Sequence, residues 1–257
     1  MELNLKGKTV VITGGATGIG KAAAMEFLRE GCNVAVCGRR LEKLEAAAAE
    51  ASEICGERFM TGQADVTDEA SLSAFAESVA GRFGKIDVWI NNAGANKIQS
   101  LMDYTVEDFR AMTDLLLVSV FSGCRIAAGH MRKTGGGVIL NASSFAAVIP
   151  NAGRAPYSAC KAAVSSLTRS FAAELARDQI RVVSYIPGLV VTDINRANVE
   201  KNGEALLESI PVRRFGTPED LSKVLVFLAS DAASYINGVD IAITGGKFAV
   251  QNNQYSW

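Results

Sequence analysis

Short β-branched runs alternate with longer runs of helical periodicity along almost the whole chain. Residues 8–13, Lys-Thr-Val-Val-Ile-Thr, read as a buried strand. Residues 18–30 read as a helix, with Gly31 as its stop. A second strand spans 33–37, followed by an alanine-rich helix over 41–52 and a weaker strand over 59–64. A helix over 68–83 ends at Gly84, and 86–91 is a strong strand. Residues 106–132 read as one long helix or two abutting ones. Strands over 138–142, 181–186 and 239–243 complete a set of seven, with helices over 156–177 and 218–230 between them. Such alternation predicts a parallel sheet covered by helices on both faces, a doubly wound α/β architecture. No Pro/Gly/Ser-rich linker or repeat interrupts it, so residues 1–257 are expected to form one domain. The least regular stretch, 191–214, lies between a strand and a helix, and long excursions of that kind suit a substrate loop. The tail 251–257 is polar with aromatic ends, and reads as disordered or docked on a neighbouring subunit.

Composition narrows the classes. A chain of 257 residues buries roughly three quarters of its unfolded surface and needs no disulfide or metal for stability. Its 26 Lys and Arg nearly balance 27 Asp and Glu, which argues against a basic nucleic-acid-binding face. No uninterrupted apolar stretch reaches about 18 residues, which argues against a membrane span. Residues 1–8 lack the apolar core of a signal peptide. Five cysteines, at 32, 37, 55, 124 and 160, form no CxxC pair, which fits reduced thiols and a cytoplasmic location. His130 is the one histidine, so a zinc site built on several histidines is impossible.

The first strand runs into Thr13-Gly14-Gly15-Ala16-Thr17-Gly18-Ile19-Gly20 and then a helix. Glycines there permit a tight turn and the approach of a pyrophosphate to the helix N-terminus, where free amides and the dipole favour an anion. The stretch 15–22 also approaches the phosphate-loop pattern GxxxxGK[ST] of nucleotide hydrolases. It fails at Ala22, which has no hydroxyl for Mg²⁺. A dinucleotide site shows its ribose contact about 20 residues further on. The second strand ends Val36-Cys37-Gly38-Arg39-Arg40, with no acid for the ribose hydroxyls and two guanidinium groups instead. Planar, permanently charged donors suit a 2′-phosphate, so NADP(H) is favoured over NAD(H). The bland alternative is that both arginines are solvated helix-start residues.

Tyr157-Ser158-Ala159-Cys160-Lys161 opens a later helix, and a spacing of four puts Tyr157 and Lys161 on one face. A nearby ammonium favours tyrosinate, which suits Tyr157 to proton delivery. Alone the pattern is common, but here it follows the glycine turn and a strand ending Asn141-Ala142-Ser143-Ser144. From about Lys6 to Gly246 the chain resembles the short-chain dehydrogenase/reductase superfamily, in the single-domain branch that acts on oxoacyl thioesters, steroids, sugars and polyols. The motifs are ordered: the glycine turn, Asp65-Val66, Asn91-Asn92-Ala93-Gly94, Ser144 thirteen residues before Tyr157, Pro187-Gly188-x-x-x-Thr192, 216–220 and Asn237-Gly238.

The resemblance implies a Rossmann-type fold and hydride transfer between a nicotinamide and a ketone or secondary alcohol. Tyr157 would be the general acid/base and would also contact the cofactor, Ser144 would hold the substrate oxygen, and Lys161 would bind the nicotinamide ribose and lower the Tyr157 pKa. Gly14, Thr17, Gly18, Ile19 and Gly20 would surround the pyrophosphate. Asp65 and Val66 would contact the adenine, and Asn92, Ala93 and Gly94 would flank the adenosine half. Pro187, Gly188, Val190 and Thr192 would hold the carboxamide. It also implies a homotetramer or homodimer paired through helices near 105–132 and 156–177. Two positions depart from the family's pattern: Leu116 stands where an asparagine usually holds a relay water, and Thr244 stands where an Asp usually precedes the paired glycines. His130, the one candidate for a histidine base, reads instead as a family-typical position near the end of the long helix, remote from the site, and Cys160 reads as a packing residue. The substrate pocket is expected from 145–154, 96–99 and the loop after Thr192. Phe145, Val148, Ile149 and Leu189 would be its apolar lining, and Lys97, Asn151 and Arg154 its polar candidates, with Arg154 or Lys97 meeting an anionic handle. A nucleotide-binding redox sensor or scaffold with little catalysis is the alternative function.

Overall fold

The computed structural model describes residues 2–192 and 196–249, so the expectations for 251–257 lie outside the described residues. Seven strands form one parallel sheet: β1 (Thr9–Thr13), β2 (Asn33–Gly38), β3 (Phe59–Gln63), β4 (Val88–Asn91), β5 (Gly137–Ala142), β6 (Ile180–Pro187) and β7 (Asp240–Ile243). Their order is β3-β2-β1-β4-β5-β6-β7, parallel at every pairing. From β1 the chain winds outward to β3, then returns to β4 and winds the other way. The switch between β1 and β4 opens a crevice at the carboxyl ends of the strands.

All five residues of β1 are buried, which requires cover on both faces. Successive side chains of a strand point to opposite faces. Val10 and Ile12 accordingly enter one core, with Phe27 and Leu28 of α1 (Gly18–Arg29), Leu44 of α2 (Leu41–Cys55) and Leu225 and Leu228 of a later helix. Val11 enters the other, with Leu72 and Val79 of α3 (Glu69–Phe83), Trp89 and Ile139. Gly84 stops α3 in the left-handed conformation, as its position predicts.

The long helical run divides in three. A Thr105–Asp108 capping box starts α4 (Val106–Thr113). A π turn follows at Asp114–Val118, then α5 (Ser119–Thr134). Such turns insert one extra residue into a helix and recur at functional sites. Leu116 lies in this turn, fully buried. A Cβ on Gly94 would lie 3.1 Å from its Cδ2. By length and composition, Val106–Thr134 matches a membrane-crossing helix, although no stretch is uninterruptedly apolar; half of its most apolar window is buried inside the protein.

The next helix, α6 (Ala155–Leu175), packs on β5 and β6. The stretch expected to be irregular contains α7 (Arg196–Glu208), kinked at Asn202. Its sequence carries no apolar stripe of helical period, and Asn202-Gly203 reads as a breaker. The last helix, α8 (Pro218–Ala229), starts with a Thr217–Asp220 capping box and supplies the Leu225 and Leu228 noted above.

Candidate active site

The turn after β1 is built for close approach. Gly14 has φ +65°, and a Cβ there would lie 2.9 Å from Ala93 Cα. Thr17 caps α1 with extended backbone and makes no side-chain cap bond, and no acid stands in the first turn. The helix therefore presents its N-terminal dipole uncompensated by a side chain, a setting that favours an anion.

Asn92 ties this turn to two other strands. Its Nδ2 donates to the carbonyls of Thr13 and Gly14, each at 3.1 Å. Its Oδ1 accepts from the Tyr185 hydroxyl of β6 at 3.1 Å. Thr13 Oγ1 accepts from the amides of Asn92 and Ala93 at 3.0 and 3.1 Å. Burial pushes the Tyr185 phenol well up, so it stays a neutral donor.

One cleft of about 680 Å³ runs along these strand ends. The β2 and β3 ends contribute Arg39, Arg40, Asp65 and Val66. The β1 turn contributes Gly14, Thr17, Gly18 and Ile19, and the β4 end Asn92, Ala93 and Gly94. Beyond β5 and α6 come Ser144, Tyr157 and Lys161, and beyond β6 Pro187, Gly188, Val190 and Thr192. Gly20 is the exception. It does not line the cleft; a Cβ there would lie 2.5 Å from both Asn92 Nδ2 and Gly14 O. Its small size lets α1 close on the Asn92 clamp.

Just beyond β3, Asp65 Oδ1 accepts from the Thr67 amide at 3.0 Å and the Thr67 hydroxyl at 2.8 Å. The Thr67 amide above all, with help from its hydroxyl and from Arg39, holds the Asp65 carboxyl below its usual range. Arg39 reaches Asp65 at 3.8 Å. Arg40 and Lys43, both exposed, have no acidic partner among the described residues. Lys43 went unnoticed in the sequence, yet it stands four residues after Arg39, in the first turn of α2.

At the other end Ser144 Oγ accepts from the Ala146 amide at 3.1 Å, which fixes the hydroxyl at the β5 terminus. Pro156 opens α6 with the fixed φ a first turn favours, and Tyr157 and Lys161 follow one turn apart. Lys161 is 4% exposed. Its Nζ donates to Ala142 O at 2.6 Å and lies 5.8 Å from the centre of the Tyr157 ring. Burial without an acid lowers the Lys161 pKa to about 8. Burial raises the Tyr157 phenol; a hydrogen bond from Ser144 and the charge of Arg154 oppose it. Lys161 contributes no such lowering here, because its ammonium is held at the Ala142 carbonyl.

Of the substrate-pocket candidates, Phe145, Leu189 and Arg154 line the cleft. Lys97 does not; it pairs with Asp108 at 2.8 Å. Val148, Ile149 and Asn151 stay exposed outside the cleft. Asn96 and Ile98 line it from the 96–99 segment instead, and Tyr185 from β6. His130 sits on α5, 3.5 Å from Glu77, and is not part of the cleft.

Residues 8–203 match the family model described as short chain dehydrogenase. The chain is 37% identical over 246 residues to a 3α-hydroxysteroid dehydrogenase of Mediterraneibacter gnavus, covering 95% of this chain and 98% of that one. It is also 37% identical over 244 residues to a 3-oxoacyl-[acyl-carrier-protein] reductase of Thermotoga maritima, covering 95% and 99%. The solved structure of a 7α-hydroxysteroid dehydrogenase complexed with NADH and 7-oxo glycochenodeoxycholic acid superposes with a TM-score of 0.90 at 34% identity, covering 95% of each chain. The chain belongs to the short-chain dehydrogenase family.

As a member, it is an oxidoreductase of CH–OH or C=O groups with a Rossmann-type NAD(P)-binding fold. The phosphate-loop hydrolase alternative therefore falls away. Its cleft fits a dinucleotide: glycines that a Cβ would block, a helix N-terminus without an acid, and cations at the far end. Of the two departures from the family pattern, one has a packing account. Leu116 fills the π turn as a fully buried apolar residue. Thr244 meets Gly188 through its backbone alone, where a Cβ on Gly188 would lie 2.7 Å from Thr244 Cα, and nothing in the structure explains its side chain.

Proposed function

We propose that this dehydrogenase prefers NADP(H) and uses Tyr157 as general acid/base on a small ketone or secondary alcohol. The observation that carries the reading is one continuous cleft joining Ser144, Tyr157 and Lys161, past the glycine turn, to Arg39, Arg40 and Lys43. Arg39, Arg40 and Lys43 would hold a 2′-phosphate, Asp65 and Val66 the adenine, and the α1 N-terminus the pyrophosphate. Asn92, Ala93 and Gly94 would flank the adenosine half. Pro187, Gly188, Val190 and Thr192 would hold the carboxamide. The bound nicotinamide dinucleotide supplies or accepts the hydride. Ser144 Oγ holds the carbonyl oxygen. Tyr157 gives that oxygen its proton during reduction and takes it back during oxidation. Lys161 holds the ribose and keeps positive charge beside the phenol.

We further propose that residues 1–257 act as one domain, with 191–214 as the substrate loop. A second hollow of about 500 Å³ on the outer face of α5 and α6, lined by Phe121, Arg125, Phe171 and Glu174 among others, supports pairing into a homodimer or homotetramer. Four buried free thiols, Cys32, Cys37, Cys124 and Cys160, support a cytoplasmic location.

Parallel titration with NADPH and NADH, followed by nicotinamide fluorescence, tests the cofactor reading. Tighter NADPH binding, lost in Arg39→Ala, is the expected result; equal affinities would refute it. Across a panel of ketones, Tyr157→Phe is expected to lower turnover by about 10²–10⁴-fold with cofactor affinity kept. Cofactor binding without turnover on any substrate would favour a scaffold or sensor instead.

A further inference from the structure

One cation lines the substrate half of the cleft and a second lies behind its Phe145 wall, and the proposed mechanism uses neither. Beyond β7, residues 244–249 fold against the end of the 191–214 excursion. The Val212 amide donates to Gly245 O at 3.2 Å. Cβ atoms on Gly245 and Gly246 would lie 2.7 Å from Val212 Cγ2 and 2.9 Å from Pro211 Cγ, so only glycines allow this approach. It seats Lys247. Its Nζ donates to Ser209 Oγ at 2.5 Å and lies 5.4 Å from the centre of the Phe145 ring. Phe145 directly follows Ser144 and lines the cleft. The other cation is Arg154, which lines the cleft and whose charge reaches the Tyr157 phenol.

Both side chains are half-buried, and neither has an acidic partner among the described residues. Among the described residues, the other half-buried cations except Lys8 are provided for. Lys21 pairs with Glu50 and Lys85 with Asp87, while Arg58 and Arg181 donate to backbone carbonyls. Withdrawing a cation from water without a counter-ion costs free energy, and an anion brought by a ligand recovers it. Partial burial lowers the Lys247 pKa, in keeping with a site that lacks its anion.

We infer that the substrate carries an anionic group, held by Lys247 and Arg154, while its carbonyl lies at Ser144 and Tyr157. The Phe145 ring offers an apolar contact for the carbons between. The substrate class is an oxo acid or oxo phosphate, or the matching alcohol, with a short apolar spacer. The inference rests on the proposed reading only in placing the reacting carbonyl at Ser144 and Tyr157.

The test compares short straight-chain oxo acids with their methyl esters, and oxo-alkyl phosphates with the free oxo alcohols, at saturating cofactor. The wild type is expected to prefer the anionic member of at least one pair by about tenfold in kcat/KM, through KM. Whichever pair shows the preference identifies carboxylate or phosphate. Lys247→Met is expected to remove that preference and Lys247→Arg to restore it; Lys247→Gln serves if the Met variant does not fold. Ser209→Ala separates recognition from a structural latch. The charge remains, so the preference is expected to persist, and Ser209→Ala matching Lys247→Met would overturn the inference. So would equal kcat/KM within every pair, or a preference unchanged in Lys247→Met. Thermal stabilisation of the cofactor-loaded protein by each compound gives the same contrast without turnover. A larger shift with the anion, lost in Lys247→Met, supports the inference even if the Tyr157 mechanism is wrong; equal shifts overturn it.

Discussion

Lys161 is a buried ammonium with one carbonyl partner and no acid, and its removal should stabilise the protein. Its folded-state pKa is about 8, against 10.5 for a free lysine. Below pH 8 both folded and unfolded chains carry the charge, and the folded state bears the whole desolvation cost. Between pH 8 and 10.5 the folded state sheds the proton first, and the cost fades. Above 10.5 neither state is charged and nothing remains of it. At 1.36 kcal/mol for each unit of pKa, the cost at pH 7 is about 3 kcal/mol. Lys161→Met also loses the hydrogen bond to Ala142 O, which takes back about 1–2 kcal/mol. The net expectation is a variant about 1–2 kcal/mol more stable at pH 7, with Tm raised by roughly 2–8 °C, and without useful turnover. Urea unfolding without cofactor, at steps from pH 7 to pH 10, measures it. The advantage should hold up to about pH 8, shrink above it, and reverse between about pH 9 and 10, where the remaining cost falls below the lost hydrogen bond. A variant less stable at pH 7, or a difference that does not change with pH, would refute the reasoning and point to a counter-charge on Lys161 in solution.

Two further variants probe the frame around the site. Gly20→Ala places a methyl 2.5 Å from the Asn92 amide and the Gly14 carbonyl, so it is expected to cost about 1–3 kcal/mol. It should also weaken dinucleotide binding although Gly20 does not line the cleft; thermal unfolding and calorimetric titration check the two effects. Leu116→Asn would put an amide into a fully buried apolar position, and a loss of about 2–4 kcal/mol is expected in urea unfolding. No loss would show that the π turn offers the amide partners.

The sheet was legible because its strands must be covered on both faces. Val10-Val11-Ile12 is apolar without alternation, and such runs between helical stretches leave little choice but a parallel sheet. The cofactor half of the cleft was legible because its residues are backbone-determined: Gly14 and Gly18 are demanded by the turn itself. Tertiary placement was harder to read. Lys97 looked available for substrate, but Asp108, eleven residues later, takes it. Tyr185 in the cleft and Lys247 behind Phe145 are far from Tyr157 in sequence and are placed only through β6, β7 and the fold of residues 244–249. The helix in 196–208 escaped notice because its residues show no apolar stripe. The π turn at 114–118 leaves no mark, since one inserted residue barely disturbs a helical period.

Asn92 gives the cleft an all-or-none character. Its partners Thr13, Gly14 and Tyr185 lie 79, 78 and 93 residues away along the chain. A nascent chain that has assembled only β1, β2 and β3 has the glycine turn but not the residue that braces it. Until β6 closes, Asn92 lacks its third tie. Dinucleotide affinity is therefore a property of the finished sheet and of no fragment of it, and the ligand stabilises only molecules that have completed the most distant pairings. In a cell rich in the cofactor, partly assembled chains would gain nothing from it and stay exposed to proteolysis, while finished ones would be held closed. Variants that weaken the sheet at its far edge should then show their defect mainly when the cofactor is scarce.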